Sequence, residues 1–152
     1  MSLDEVLSLG TDLVEQWELL HGCHVTDAHL DARMLQTMTD AVVQVLTLYE
    51  VAAEFILGGW DKTEEPHGGA GGSMQLDDSE MTVVSREALR HATMRLGEML
   101  HDIEDDISIT GAHSSQSSDH AVEVKQIMSR LLRLLGRINS NDSSLNEKQK
   151  HY

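Results

Sequence analysis

The sequence predicts an all-α fold, an antiparallel four-helix bundle-like domain with a long central helix, and three observations carry that prediction. Apolar residues recur at helical spacing from Asp27 to Leu57 with no proline or glycine between them. Two Trp, two Tyr and one Phe are few for 152 residues, so the core must be built of Leu, Val, Ile, Ala and eight Met, which suits close-packed helices better than sheets. Three further segments repeat the same period, separated by polar or glycine-containing stretches.

The segment Asp27 to Leu57 is the one the others are expected to pack against. At 100° per residue, Leu30, Met34, Met38, Ala41, Val42, Val45, Tyr49, Ala52 and Ile56 form one stripe, while Arg33, Gln36, Asp40, Thr47, Glu50 and Glu54 fall on the other side. Such a helix would be about 46 Å long and must be the long member of a bundle or bend around its core. Gly58-Gly59 stops it, and Thr26 or Asp27 is positioned to cap it.

Residues 3–21 make a first amphipathic helix with Val6, Leu9, Leu13, Trp17 and Leu20 inward, and the early acids Asp4 and Glu5 suit its N-terminus. Gly22 ends it, and the link Gly22-Cys23-His24-Val25-Thr26 is short enough to make the first two helices antiparallel. From Gly58 to Asp78 the composition changes to that of a flexible connector around the only proline. Its glycines are followed by no Lys-Ser or Lys-Thr and preceded by no hydrophobic strand, so a phosphate-binding loop is a poor reading.

Asp77, Asp78 or Ser79 caps a third helix to about Ile107, with Met81, Val84, Ala88, Ala92, Leu96, Met99, Leu100 and Ile103 inward. A loop over 108–118 follows. Asp119 then caps a fourth helix whose inward residues are Val124, Ile127, Met128, Leu131, Leu132, Leu135 and Ile138. The expected organisation is one helical domain over 3–139, with the connector at 58–78 and a disordered polar tail at 140–152.

Charge narrows the function classes. Eleven Lys and Arg against 26 Asp and Glu give a formal charge of −15, which repels phosphate backbones and anionic membrane surfaces. No direct nucleic-acid partner and no membrane partner are therefore expected. The single Cys23 cannot form an internal disulfide, and no basic stretch followed by an apolar one opens the chain, which predicts an intracellular protein.

Metal binding is the sharpest catalytic possibility, because Glu18-Leu19-Leu20-His21 and Glu98-Met99-Leu100-His101 are both Glu-x-x-His, the pair that di-metal bundles place on two helices. Glu50, Glu54 and Glu123 could complete such a set. The helical wheel opposes it, since His101 and Glu98 lie about 160° and about 140° from the centre of their helix's apolar stripe. The cluster His21, Cys23, His24, Asp27 and His29 contains zinc-ligand types but matches no structural zinc spacing. Cys23 beside His24 has no third orienting group, and no Gly-x-Ser-x-Gly elbow occurs. No catalytic, cofactor-binding or metal residue is assigned, and the chain is expected not to be an enzyme.

Met34, Met38, Met81 and Met99 read as core packing, with an adaptable partner groove as the alternative. Arg130, Arg133 and Arg137 share a face opposite the apolar stripe of the fourth helix, a narrow basic ridge suited to pairing with acids of neighbouring helices or to an acidic partner.

Three blocks then stand in a suggestive order. Leu19-Leu20 is followed by a cysteine-containing turn, Asp27, Leu30, Met34-Leu35 and a helix through Val45-Leu46-Thr47-Leu48-Tyr49-Glu50; next comes Met74-Gln75-Leu76-Asp77-Asp78-Ser79-Glu80; last is the Leu- and Arg-rich helix from Ser129 to Asn139. Together they resemble the C-terminal domain of the aflatoxin regulatory protein family, fungal regulators of secondary-metabolite gene clusters, over nearly all of 3–139. Where the family carries a Cys-x-Cys turn this chain has Gly22-Cys23-His24, so no role of paired cysteines carries over. The six-cysteine binuclear zinc cluster that usually begins family members is also absent from this chain.

The resemblance implies a nuclear regulatory domain of a fungal transcription factor-like protein, with no cofactor, acting through protein partners such as the transcription machinery, a co-regulator or a second copy. A small helical metal-binding or biosynthetic enzyme of such a cluster, and a dimerisation module, are the alternatives.

Overall fold

The computed structural model describes residues 1–22, 32–57, 78–110 and 115–149, with side chains described at 1–22, 32–57, 81–109 and 118–140. Its elements are all helices: α1 (Leu3–His21), α2 (Ala32–Leu57), α3 (Asp78–Thr110) and α4 (Ser115–Gln149). The turn after Gly22, the Asp27 to Asp31 start of the second helix and the connector up to Asp77 lie outside the described residues.

The helices alternate in direction. Glu18 with Arg95, Trp17 with Asp102 and His21 with Asp106 set α1 parallel to α3, and Thr39 with His120 and Glu50 with Arg130 set α2 parallel to α4. α2 and α3 pack against each other and each against both remaining helices, while α1 and α4 occupy opposite flanks. The cross-section is a rhombus with α2 and α3 on its short diagonal, a variant of the antiparallel four-helix bundle.

This arrangement corrects several sequence expectations. The second helix is central but not the longest, with 26 described residues against 33 in α3 and 35 in α4. Its buried face is Leu35, Met38, Thr39, Val42, Val45, Leu46, Tyr49 and Ala53, while Met34, Ala41, Ala52 and Ile56 are only partly covered. The face is turned by about 60° from the expected stripe, because α2 meets three helices and the side toward α4 must also be filled.

On α1, Gly10 and Val14 are buried and Leu9 is 43% exposed. On α3, Leu89 and Thr93 enter the core where Met81 and Val84 were expected, and those two are 50% and 60% exposed. On α4, Leu134 replaces Leu132, which is 59% exposed. The expected 108–118 loop is shorter, since α3 runs to Thr110 and α4 starts at Ser115, which places Asp119 inside the helix and not at its cap. α4 also continues as a helix past Asn139 to Gln149, where a disordered tail was expected.

Local signals explain the ends of α1. Ser2 and Glu5 form a reciprocal capping box: the Glu5 N–H donates to Ser2 Oγ at 3.3 Å and the Ser2 N–H to Glu5 Oε2 at 2.7 Å. At the other end the Gly22 N–H donates to the Glu18 carbonyl at 2.9 Å. The core itself is continuous, from Val6, Trp17 and Tyr49 to Leu100, Leu131 and Ile138.

Candidate functional site

The residues with the best chemistry by sequence stand apart from one another. Glu18 faces Arg95 at 3.7 Å on the surface, and His21 reaches Asp106 Oδ2 at 3.4 Å while stacking on Trp17 with ring centroids 5.3 Å apart. Glu98 is exposed, and His101 is 67% exposed beside Asp105. Glu50 is half-buried against Arg130, Glu54 is exposed, and Glu123 accepts a hydrogen bond from Gln36 at 3.3 Å. Among the described residues no group of three or more His, Cys, Asp or Glu is placed to share a metal ion. Cys23, His24, Asp27 and His29 lie outside them.

The basic ridge divides. Arg130 turns back to Glu50 and donates to Thr47 Oγ1 at 3.3 Å, tying α4 to α2, whereas Arg133 and Arg137 are exposed.

A buried and a part-buried polar contact link the helices. Thr39 Oγ1 donates to the Leu35 carbonyl at 2.7 Å and lies 2.9 Å from His120 Nε2, so with its proton committed the hydroxyl accepts from the imidazole. Trp17 Nε1 donates to Asp102 Oδ2 at 3.4 Å. Nearby, burial raises the Asp106 pKa, and the charges of Asp102 and Asp105 push it the same way while His21 opposes them. Burial also pushes the Tyr49 phenol up to about 12, against the opposing charge of Arg95.

An open groove of roughly 620 Å³ lies between the first halves of α1 and α3, with Leu7, Thr11, Val83, Val84, Ala88 and Ala92 among its lining. Thr11 spends its hydroxyl on the Leu7 carbonyl at 3.0 Å, which leaves its methyl for the groove wall. Glu87, His91 and Arg95 stand along the α3 side. Arg90 holds Glu87 with an Nε to Oε2 distance of 3.0 Å, and that hydrogen bond lowers the Glu87 pKa.

Compared with known proteins, the chain matches no family model, no curated protein and no solved structure.

The groove was not legible in the sequence, and none of the methionines read as core or adaptable surface lines it. The helical period puts Val84, Ala88 and Ala92 on the inward stripe, because an apolar position looks the same whether a neighbouring helix covers it or nothing does. What the groove offers is apolar area with a charged margin, a surface chemistry suited to contact with another polypeptide.

Proposed function

We propose that this chain is a non-enzymatic regulatory module of a fungal transcription factor-like protein controlling a secondary-metabolite gene cluster, working in the nucleus through protein contacts. The observation that carries the protein-contact part is the open apolar groove between α1 and α3 on a chain of net charge −15. The fungal regulatory part is supported by the order of the Leu19-Leu20, Leu76-Asp77-Asp78 and Ser129 to Asn139 blocks. With that charge the chain itself is unsuited to gripping phosphates, so a separate component would supply any DNA contact.

The reading is tested by deleting the coding sequence in its native host and measuring transcripts of secondary-metabolite clusters, with a gel-shift of the purified chain on the corresponding promoters. Lowered transcripts without a specific shift support it. Unchanged transcripts, or saturable sequence-specific DNA binding by the chain alone, overturn it. Metal analysis separates the enzymatic alternative, because a stoichiometric iron, manganese or zinc content would favour a metal protein using the two Glu-x-x-His segments.

A further inference from the structure

The first half of α3 carries more apolar surface than the bundle uses. Leu89 and Thr93 are fully committed to the core, yet Val83 and Val84 remain 48% and 60% exposed on the groove side, with Ala88 and Ala92 half-covered farther along α3. From Val83 to Arg95 the groove follows α3 for about 18 Å, which is roughly three helical turns.

The α1 margin is acidic, facing a mixed α3 margin of Glu87, His91 and Arg95. Asp4 and Glu15 share the Leu7 and Thr11 side of α1 by their three- and four-residue spacing, and both are exposed with no ion-pair partner among the described residues. The two arginines beside the groove are engaged by acids, Arg95 by Glu18 and Arg90 by Glu87, and His91 stands on the α3 side.

We propose that the α1–α3 groove seats a basic amphipathic helix of a partner protein, its apolar stripe on Val84, Ala88 and Leu7 and its Lys or Arg residues against Asp4 and Glu15. The proposal rests on the reading that the chain acts through protein contacts. A helix laid in a groove is anchored by apolar residues at i, i+3, i+4 and i+7, and three turns provide room for that set. Charge complementarity selects the partner's flanks. The same charge argues against a second copy as occupant, since a two-fold contact would bring the acidic margins of two −15 chains together.

The test uses the full chain and a labelled helical peptide of about fourteen residues with leucines at i, i+3, i+4 and i+7 and lysines flanking them, read by fluorescence anisotropy. A second peptide has the same leucines with glutamate flanks. Saturable one-to-one binding of the lysine peptide is expected, weakening with salt, while Val84→Arg lowers affinity by about tenfold or more. Val84 is largely exposed, so that variant keeps its helical circular dichroism; Glu15→Lys, which alters only the margin, is the second variant and also weakens binding. Failure of the lysine peptide to bind, equal binding by Val84→Arg, preference for the glutamate peptide, or a chain dimer in light scattering that Val84→Arg dissolves would each overturn the proposal. If the peptide fails while deletion of the gene still lowers cluster transcripts, the groove assignment falls and the regulatory reading stands. If deletion changes nothing, the regulatory reading falls whatever the peptide does.

Discussion

The Tyr49 ring fills the space that a side chain at residue 10 would need: a Cβ added to Gly10 would overlap the phenol oxygen and lie 2.8 Å from Cζ. Tyr49 is 1% exposed, so it has no solvent route of escape. Gly10→Ala should therefore cost about 1 to 3 kcal/mol, the usual penalty of overpacking, and lower the melting temperature by several degrees. Adding Tyr49→Phe to Gly10→Ala removes the overlapping oxygen and should recover part of the loss. A fully stable Gly10→Ala would show that the α1–α2 contact is looser than described.

Tyr49 also sets an alkaline limit. Its phenol titrates near 12 in the folded chain against an ordinary 10, so the folded state holds the proton that the unfolded state releases. Stability present below pH 10 is therefore lost as pH rises toward 12, by on the order of 2 to 3 kcal/mol. In a Tyr152→Phe background, phenolate absorbance follows Tyr49 alone. Titration near 10 in the folded chain would contradict the burial.

Thr39 and His120 form the buried polar link between α2 and α4. Thr39→Val removes the acceptor and leaves the imidazole N–H without its partner, which should cost about 1 to 3 kcal/mol in urea unfolding. Because Thr39 already donates to Leu35, nitrogen NMR should find the proton of His120 on Nε2. A proton resident only on Nδ1 would reverse the direction of this hydrogen bond.

Asp106 works in the opposite sense to a stabilising carboxylate. Burial raises its pKa above the ordinary 3.8, so the folded state binds its proton more tightly, and the contribution to stability declines as pH rises through the window above 3.8. Asp106→Asn should gain on the wild type across that window, and the two should converge below it. Urea unfolding at a series of acidic pH values checks this, and a difference of the other sign would mean that His21 outweighs burial.

The capping box makes Ser2 the most consequential exposed side chain of α1. Ser2→Ala should destabilise by about 1 kcal/mol, and Ser2→Asp should retain most of the cap. Equal melting curves for Ser2→Ala and wild type would indicate that this first turn frays.

The four helices were legible because each carries a sustained apolar period, and the Ser2-x-x-Glu5 signature of the first cap is readable in the same way. Facing directions were legible only in part. Leucine at position 9 outweighs glycine at 10 on any hydrophobicity scale, yet the position facing Tyr49 is the one that must carry no side chain, and that follows from the neighbouring helix. Leu35, Leu46 and Ala53 entered the core for a similar reason, since a helix touching three others buries a wider face than a single stripe. The groove stayed hidden because Val84 satisfies the period of α3, and its exposure depends on how far α1 reaches across.

α3 borders every other helix and also forms one wall of the groove. The rhombic arrangement consequently leaves no separable half, because the α1–α2 hairpin leans on α3 and the α3–α4 hairpin leans on α2. A helix seated against α3 would share its binding energy with the whole cooperative unit, and occupancy at one edge would register as heat resistance throughout the bundle.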